Sequence, residues 1–124
     1  ENAAEYKAKA DAVGQAEIYR NDYAISLCRS EGIQSPTIVG AQAANELLNI
    51  RGIKASFVLT EYQGRIYISA RSIDEVNVQV IMERMGGGGH MNVAGCQVDN
   101  SEPGAVIGTI KGTLDKMIEE GELK

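Results

Sequence analysis

Apolar residues recur every three or four positions in four stretches of the chain, which is the spacing that lines one face of an α-helix. The clearest stretch contains Val78, Ile81, Met82 and Met85, which follow the i, i+3, i+4, i+7 pattern without a break. On this spacing we predict helices over residues 2–14, 36–51, 78–85 and 103–120.

Residues that favour helix ends border these stretches. Ser35 followed by Pro36 predicts a side-chain N-cap and then a proline at the first helical position. Asn77 precedes the third stretch and is expected to cap it. Gly52 and Gly121 follow the second and fourth stretches, where a glycine commonly ends a helix.

Other stretches alternate between apolar and polar residues, as β-strands do when one face is buried. They cover residues 17–28, 55–60, 65–71 and 95–99. A turn or bulge is expected at Asn21-Asp22, and residues 61–64 predict a hairpin between the second and third stretches.

The third strand stretch predicts which side chains face the core. Ile66, Ile68 and Ala70 share one face, and Tyr67, Ser69 and Arg71 share the other. Helices that alternate with strands, together with one hairpin, predict an α/β fold in which helices pack on a mixed sheet of about four to five strands.

The composition excludes some classes of function. The 124 residues suit one domain, and with no Trp and one Phe the core is expected to be aliphatic. The net charge of −5 argues against a protein that coats long nucleic acid, since such proteins usually present a basic face. A small phosphorylated ligand held by a few local groups is compatible with this charge.

The cysteines and the single histidine exclude a zinc site within this sequence. Cys28 and Cys96 are far apart and form no CxxC pair, so two buried, reduced thiols in a cytosolic protein are expected. No apolar run approaches the roughly 20 residues that span a bilayer, and no signal peptide is recognised. Because the sequence begins at Glu1 rather than Met, a piece of a longer protein is expected.

Four consecutive glycines precede the only histidine, His90, and the run is Gly86, Gly87, Gly88 and Gly89. Glycine tolerates positive φ, and successive amides in such a loop can form a concave nest for phosphate. A flexible linker followed by a surface histidine is the alternative. The flanking helix and strand patterns place the run inside a folded unit, with residues 90–94 expected as a short helical turn.

Ser69, Arg71 and Ser72 lie at the end of a predicted strand. The guanidinium fork suits phosphate because it forms bidentate, charge-assisted hydrogen bonds, each contributing about 1.5–3 kcal/mol. A solvated arginine and ordinary turn serines are the alternatives that these residues alone leave open.

Three segments in this order and spacing resemble the C-terminal DHH-associated (DHHA1-type) domain of the DHH phosphoesterase superfamily. They are SARS at 69–72, NVQVIME at 77–83 and GGGGHMNVAG at 86–95. Together they are most similar to the membrane-tethered cyclic-di-AMP phosphodiesterases, and the resemblance covers residues 17–120.

The resemblance implies the substrate-binding part of a manganese-dependent phosphodiesterase that hydrolyses cyclic di-AMP to linear pApA. In that family the arginine of the SARS-like segment and the glycine loop hold the substrate phosphate and sugar. The corresponding residues here are Ser69, Arg71, Ser72, Gly86, Gly87, Gly88, Gly89 and His90.

The family's paired Mn²⁺ ions belong to an upstream DHH domain, whose Asp and His ligands this sequence lacks. The chain alone is therefore expected to hold no metal, to contain no catalytic residue and to be inactive. On this resemblance we expect residues 1–16 to form a lead-in helix or linker from that catalytic domain, and residues 17–124 to form the substrate-binding domain.

The same resemblance implies partners and a location. The expected partners are a cyclic dinucleotide or short oligonucleotide, the upstream DHH domain and, as a further candidate, a second copy of the chain. The domain is expected on the cytoplasmic side of a membrane-anchored parent protein, without direct membrane contact.

One detail departs from close relatives, which often carry Asn-Ala-Ala or Ala-Ala-Gly after the histidine. This chain has Val93-Ala94-Gly95, a change expected to affect packing more than chemistry, with Ala94 packed against the loop.

Two other classes of function stay open. One is a module that binds single-stranded RNA or DNA or oligoribonucleotides, as in RecJ-like exonucleases and oligoribonucleases. The acidic balance and the scarcity of aromatic residues disfavour it, because single-strand binders usually stack bases on aromatic rings. The other is a purely structural role such as dimerisation.

Overall fold

A single sheet with helices on both faces makes up the computed structural model, which describes residues 2–124. The strands are β1 (Glu17–Tyr19), β2 (Tyr23–Cys28), β3 (Ala55–Tyr62), β4 (Arg65–Ser72), β5 (Gly88–Gly89) and β6 (Val93–Asp99). The helices are α1 (Ala3–Gly14), α2 (Pro36–Leu47), α3 (Val78–Glu83) and α4 (Pro103–Glu119). The sheet order is β1-β2-β3-β4-β6-β5.

The pairing confirms the predicted mixed α/β fold. β2 and β3 are parallel, and the four other pairs are antiparallel. The parallel pair is joined by the crossover through α2, whereas β3 and β4 form the predicted hairpin. Its turn, Gln63-Gly64, has φ of 53° and 76°, as the favoured two-residue hairpin turn requires.

The sheet has six strands, slightly more than the predicted four to five. One extra strand arises because Arg20 and Asn21 take φ of 52° and 67° and reverse the chain, which divides residues 17–28 into β1 and β2. The other is β5, inside the glycine run.

Two cores hold the helices against the sheet. On one face, Ile68 and Ala70 pack with Ile81 of α3 and Ile110 of α4. On the other face, α1 and α2 cover β2 and β3, and Val58 is fully buried there. The β4, β6 and β5 strands carry half-buried and exposed residues on that second face, which we call the open face.

Two features of α2 differ from the prediction. Ser35 stands at the N-cap of α2 but makes no side-chain cap bond, contrary to the prediction. α2 ends at Leu47 rather than near Arg51, because the backbone then tightens into i to i+3 turns such as Ile50 N–H to the Leu47 carbonyl at 3.2 Å. Within residues 2–124, no helix combines the length and apolar character needed to cross a bilayer.

Candidate functional site

Arg71 lies near the end of β4 on the open face, where its side chain is half-buried. Its Nη1 donates to the Ala70 carbonyl at 2.9 Å and lies 3.5 Å from the Ala94 carbonyl. Partial burial lowers the pKa of this guanidinium, which still stays charged at neutral pH. No carboxylate within residues 2–124 forms an ion pair with it. Its charge is therefore available to an anion.

The β5–β6 hairpin places His90 in line with Arg71. The register pairs Gly88 with Gly95, and the His90 N–H donates to the Val93 carbonyl at 2.8 Å. Val93 pairs in turn with Arg71 across β6 and β4. Residues directly opposite each other share a face, so Arg71 lies beside Val93 on the open face, and the hairpin brings the backbone of His90 next to Val93. Their backbones span two strand spacings, roughly 10 Å.

The same pairing corrects the expectation for residues 90–94. They do not form a helical turn but complete a β-hairpin, whose connection is Met91-Asn92. Strand pairing prevails here because Gly88 and Gly89 can lie directly against β6.

Close packing against β6 accounts for the glycines at 87 and 89 better than phosphate binding by their backbone amides does. A Cβ on Gly87 would collide with the Gly95 carbonyl and lie 2.9 Å from Cα of Cys96. A Cβ on Gly89 would lie 2.6 Å from Cα of Ala94, which confirms the predicted packing of Ala94 against the loop. The glycines thus allow β5 to approach β6.

Three backbone amides of the predicted phosphate-binding loop already have partners within the fold. The Gly86 N–H donates to the Glu83 carbonyl at 3.1 Å, and the Gly87 N–H donates to the Met82 carbonyl at 2.8 Å. The His90 N–H is bonded to Val93 as described above. These three amides close the end of α3 and the hairpin, so they are not available to phosphate.

Ser72 is separated from the other predicted site residues. It is 5% exposed, and its hydroxyl donates to the Val76 carbonyl at 2.6 Å while accepting from Asn92 Nδ2 at 2.9 Å. As the direct neighbour of Arg71 in a strand, it faces the opposite side of the sheet. Its role is to tie the end of β4 to the hairpin connection.

Asn92 is a positioning residue that the sequence interpretation missed. Its Nδ2 also lies 3.3 Å from the Asp74 carbonyl, so the amide links the hairpin connection to the loop after β4. Asn77 caps α3 as predicted, accepting from the Val80 N–H at 3.3 Å. The Val78 N–H donates to the Met91 carbonyl at 2.8 Å, which fixes α3 to the same connection.

Ser69 is half-buried on the open face, two residues before Arg71. It pairs with Val58 of β3 and with Gly95 of β6, so only on the β6 side does no side chain lie directly opposite its hydroxyl. The structure therefore brings Ser69 and Arg71 to one face, places the His90 backbone two strands away from Arg71, and leaves Ser72 on the other face.

Neither thiol supplies chemistry at this face. Cys28 and Cys96 are free and buried, as predicted, and burial raises the pKa of both. In the part of the chain that the structure describes, no three His, Cys, Asp or Glu residues cluster as metal ligands. The described residues thus offer no ligand set for paired Mn²⁺ ions, which the family resemblance assigns to an upstream DHH domain.

A family model described as the DHHA1 domain matches residues 22–120. The chain belongs to the DHHA1 domain family. Helix α1 precedes the matched residues, and it packs onto this DHHA1 domain through the buried residues Ala8 and Ala12.

Curated relatives of this DHHA1 domain include a protein named a cyclic-di-AMP phosphodiesterase. It is 35% identical over 123 residues to the cyclic-di-AMP phosphodiesterase GdpP of Geobacillus thermodenitrificans, covering 98% of this chain and 18% of the relative. It is 39% identical over 111 residues to a membrane protein–large ribosomal subunit bL9 fusion protein of Onion yellows phytoplasma, covering 89% and 13%. The chain thus spans less than a fifth of either relative.

A solved structure shows the same fold. An exopolyphosphatase-related protein from Bacteroides fragilis superposes on the DHHA1 domain with a TM-score of 0.81, covering 94% of this chain and 36% of that one. The sequence identity is 18%, so the likeness concerns the fold alone.

Proposed function

We propose that this DHHA1 domain binds the phosphates of a cyclic dinucleotide, with cyclic di-AMP as the foremost candidate, for a DHH-superfamily phosphodiesterase that yields linear pApA. The observation that carries the proposal is the guanidinium of Arg71 on the open face, which forms no ion pair with a carboxylate of residues 2–124. The choice of substrate is supported by a 35% identical relative that is named a cyclic-di-AMP phosphodiesterase.

The surface around Arg71 offers the groups that a phosphodiester needs. Each phosphodiester carries one negative charge, which the Arg71 fork can neutralise through two parallel hydrogen bonds. His90 is exposed in the neighbouring hairpin and adds a donor, and the Ser69 hydroxyl adds another beside Arg71. The glycines contribute by keeping this surface free of side chains.

These residues position substrate but do not cleave it. In the full-length enzyme, a pair of Mn²⁺ ions held by a DHH domain would activate water and stabilise the leaving oxygen. We accordingly expect this chain alone to be inactive, and we place it on the cytoplasmic side of a membrane-anchored parent protein.

Titration of the 124-residue chain with cyclic di-AMP, followed by NMR, tests the proposal in the weak-binding range. Arg71→Ala is expected to weaken binding by about ten-fold or more, because a hydrogen-bonded charge pair is lost. Arg65→Ala is the matched control, since Arg65 is on the same strand and face but pairs with Asp99 at 3.5 Å. It should change the affinity less than two-fold.

The opposite outcomes are equally informative. Unchanged affinity in Arg71→Ala, or an equal loss in Arg65→Ala, contradicts the assignment of the site. Tighter, strongly salt-dependent binding of a short single-stranded RNA would favour the nucleic-acid-binding alternative instead.

A further inference from the structure

Helix α1 has an exposed side that lies opposite its buried side. Ala8 and Ala12 are buried in the core that α1 shares with α2 and β2. Tyr6, Ala10 and Gly14 follow each other at i, i+4 and i+8 on the other side, and all three are exposed. The large ring of Tyr6 is 61% exposed. Within residues 2–124, no element covers this side of the helix.

Two surface grooves run along the exposed side of α1. The larger groove, of about 670 Å³, lies between the helix and Arg29, which follows β2. The smaller groove, of about 370 Å³, lies between the helix and Glu46 of α2. Tyr6, Ala10 and Gly14 line both grooves, so they form a ridge between them, which we call the α1 ridge. A ridge with so little side chain at its centre allows another helix to approach to about 8 Å.

One cation and one anion flank the α1 ridge on the same side. Lys7 and Asp11 lie one helical turn apart there. Lys7 forms no ion pair with a carboxylate of residues 2–124. Asp11 has a long contact of 3.9 Å with Arg29, and its side chain is 60% exposed. Both charges are therefore available to a partner that packs on the ridge.

These charges complement a second copy of the same helix. When two α1 helices pack in opposite directions about a two-fold axis near Ala10, every contact occurs twice. Lys7 of one copy then lies beside Asp11 of the other. Tyr6 likewise lies over Gly14 of the other copy. With a rise of 1.5 Å per residue, the members of each pair are offset along the axis by about 3 Å or less. A parallel pair would instead bring like charges together.

We propose that the α1 ridge is a self-complementary interface at which two copies of the chain associate with their α1 helices antiparallel. The occupant is a second copy because its charges and its Tyr6 ring match the ridge that they meet. A helix of 12 residues offers an interface only about 18 Å long, so the dimer is weak and reversible. The inference does not rest on the proposed function, since Arg71 lines neither groove.

Sedimentation equilibrium of the 124-residue chain, at micromolar to millimolar concentrations, should show a monomer–dimer equilibrium. Ala10→Glu places two carboxylates next to the two-fold axis and should weaken the association about ten-fold or more. Ala4→Glu is the matched control, because Ala4 is exposed on the same helix but lines neither groove. It should change the association by less than about two-fold. Both changes put a good helix former at an exposed position, so the midpoint of urea unfolding should be unaltered.

Charge reversal tests the antiparallel arrangement itself. Lys7→Glu and Asp11→Lys should each weaken self-association about five-fold or more at low ionic strength, because each sets like charges opposite each other twice. An equimolar mixture of the two variants should recover association. In the mixed dimer the introduced carboxylate faces the introduced ammonium, and the native Asp11 faces the native Lys7.

Three results would overturn the interface. One is a chain that stays monomeric at millimolar concentration, which would leave the α1 ridge to a partner of another kind. The second is a dimer that Ala10→Glu leaves intact, which would place the contact elsewhere on the surface. The third is a mixture of the two charge-reversed variants that associates no better than either variant alone.

Discussion

The two ends of β4 present the same residue type to the same face of the sheet with opposite results. Arg65 lies opposite Asp99 of β6, and the two side chains form an ion pair at 3.5 Å. Arg71, six residues later, lies opposite Val93, which offers no charge. The cross-strand partner therefore decides which arginine is neutralised within the fold and which one can receive an anion.

The two ends also differ in how firmly the chain is held. At the Arg65 end, β4 follows directly after the exposed turn Gln63-Gly64. Near Arg71 the strand is tied to the hairpin connection by Ser72 and Asn92. The end that carries the available charge is thus the end with the denser hydrogen-bond network, as expected of a preorganised binding surface.

The largest stability difference between the two ends is expected at their glycines. Gly89→Ala combines a φ of 145° with a Cβ placed 2.6 Å from Cα of Ala94, so it should destabilise the chain by about 2–5 kcal/mol. Gly64→Ala meets no atom within 4 Å and should cost only about 1–2 kcal/mol, from its φ of 76°. Urea denaturation measures both, and equal costs would contradict the close approach of β5 to β6.

A smaller effect is expected at the hydroxyl that anchors the Arg71 end. Ser72→Ala leaves the buried Val76 carbonyl without this donor and should cost about 1–3 kcal/mol. Ser69→Ala, on the open face, should change the free energy of unfolding by less than about 0.5 kcal/mol. Hydrogen exchange should be faster in the Met91-Asn92 connection of Ser72→Ala alone. Unaltered exchange there would separate Ser72 from the hairpin.

The smallest effect is expected at the neutralised arginine. Asp99→Asn removes an exposed ion pair and should change the free energy of unfolding by less than about 1 kcal/mol. It also frees the charge of Arg65, so NMR titration with inorganic phosphate should then perturb Arg65 as well as Arg71. If phosphate shifted the NMR signals of Arg65 in the unsubstituted chain, Arg65 and Arg71 would not differ in their availability to an anion, which contradicts the account.

Side-chain periodicity predicted the parts of the fold that are built from side-chain packing. It identified α4, the β3–β4 hairpin and the inward face of Ile66, Ile68 and Ala70. It could not identify β5, because Gly88 and Gly89 have no side chains to form a pattern. It also missed the division of β1 from β2, which depends on the positive φ of Arg20 and Asn21.

The site was predicted in part for a related reason. Arg71 and Ser69 were assigned to the outward face by alternation, and the structure agrees. The same alternation places Ser72 inward, yet the family resemblance grouped it with Arg71 because the two are adjacent in sequence. The backbone amides of Gly86 and Gly87 could not be judged from sequence, since their partners, the carbonyls of Glu83 and Met82, depend on how α3 ends.

A crystal structure of the chain with cyclic di-AMP or pApA tests the central claim most directly. The claim is that the unpaired guanidinium on the open face receives the phosphate. We predict a phosphate oxygen about 2.7–2.9 Å from an Arg71 guanidinium nitrogen, on the same face as Ser69. A nucleotide bound on the opposite face of the sheet, or bound on the open face without contact to Arg71, would contradict it.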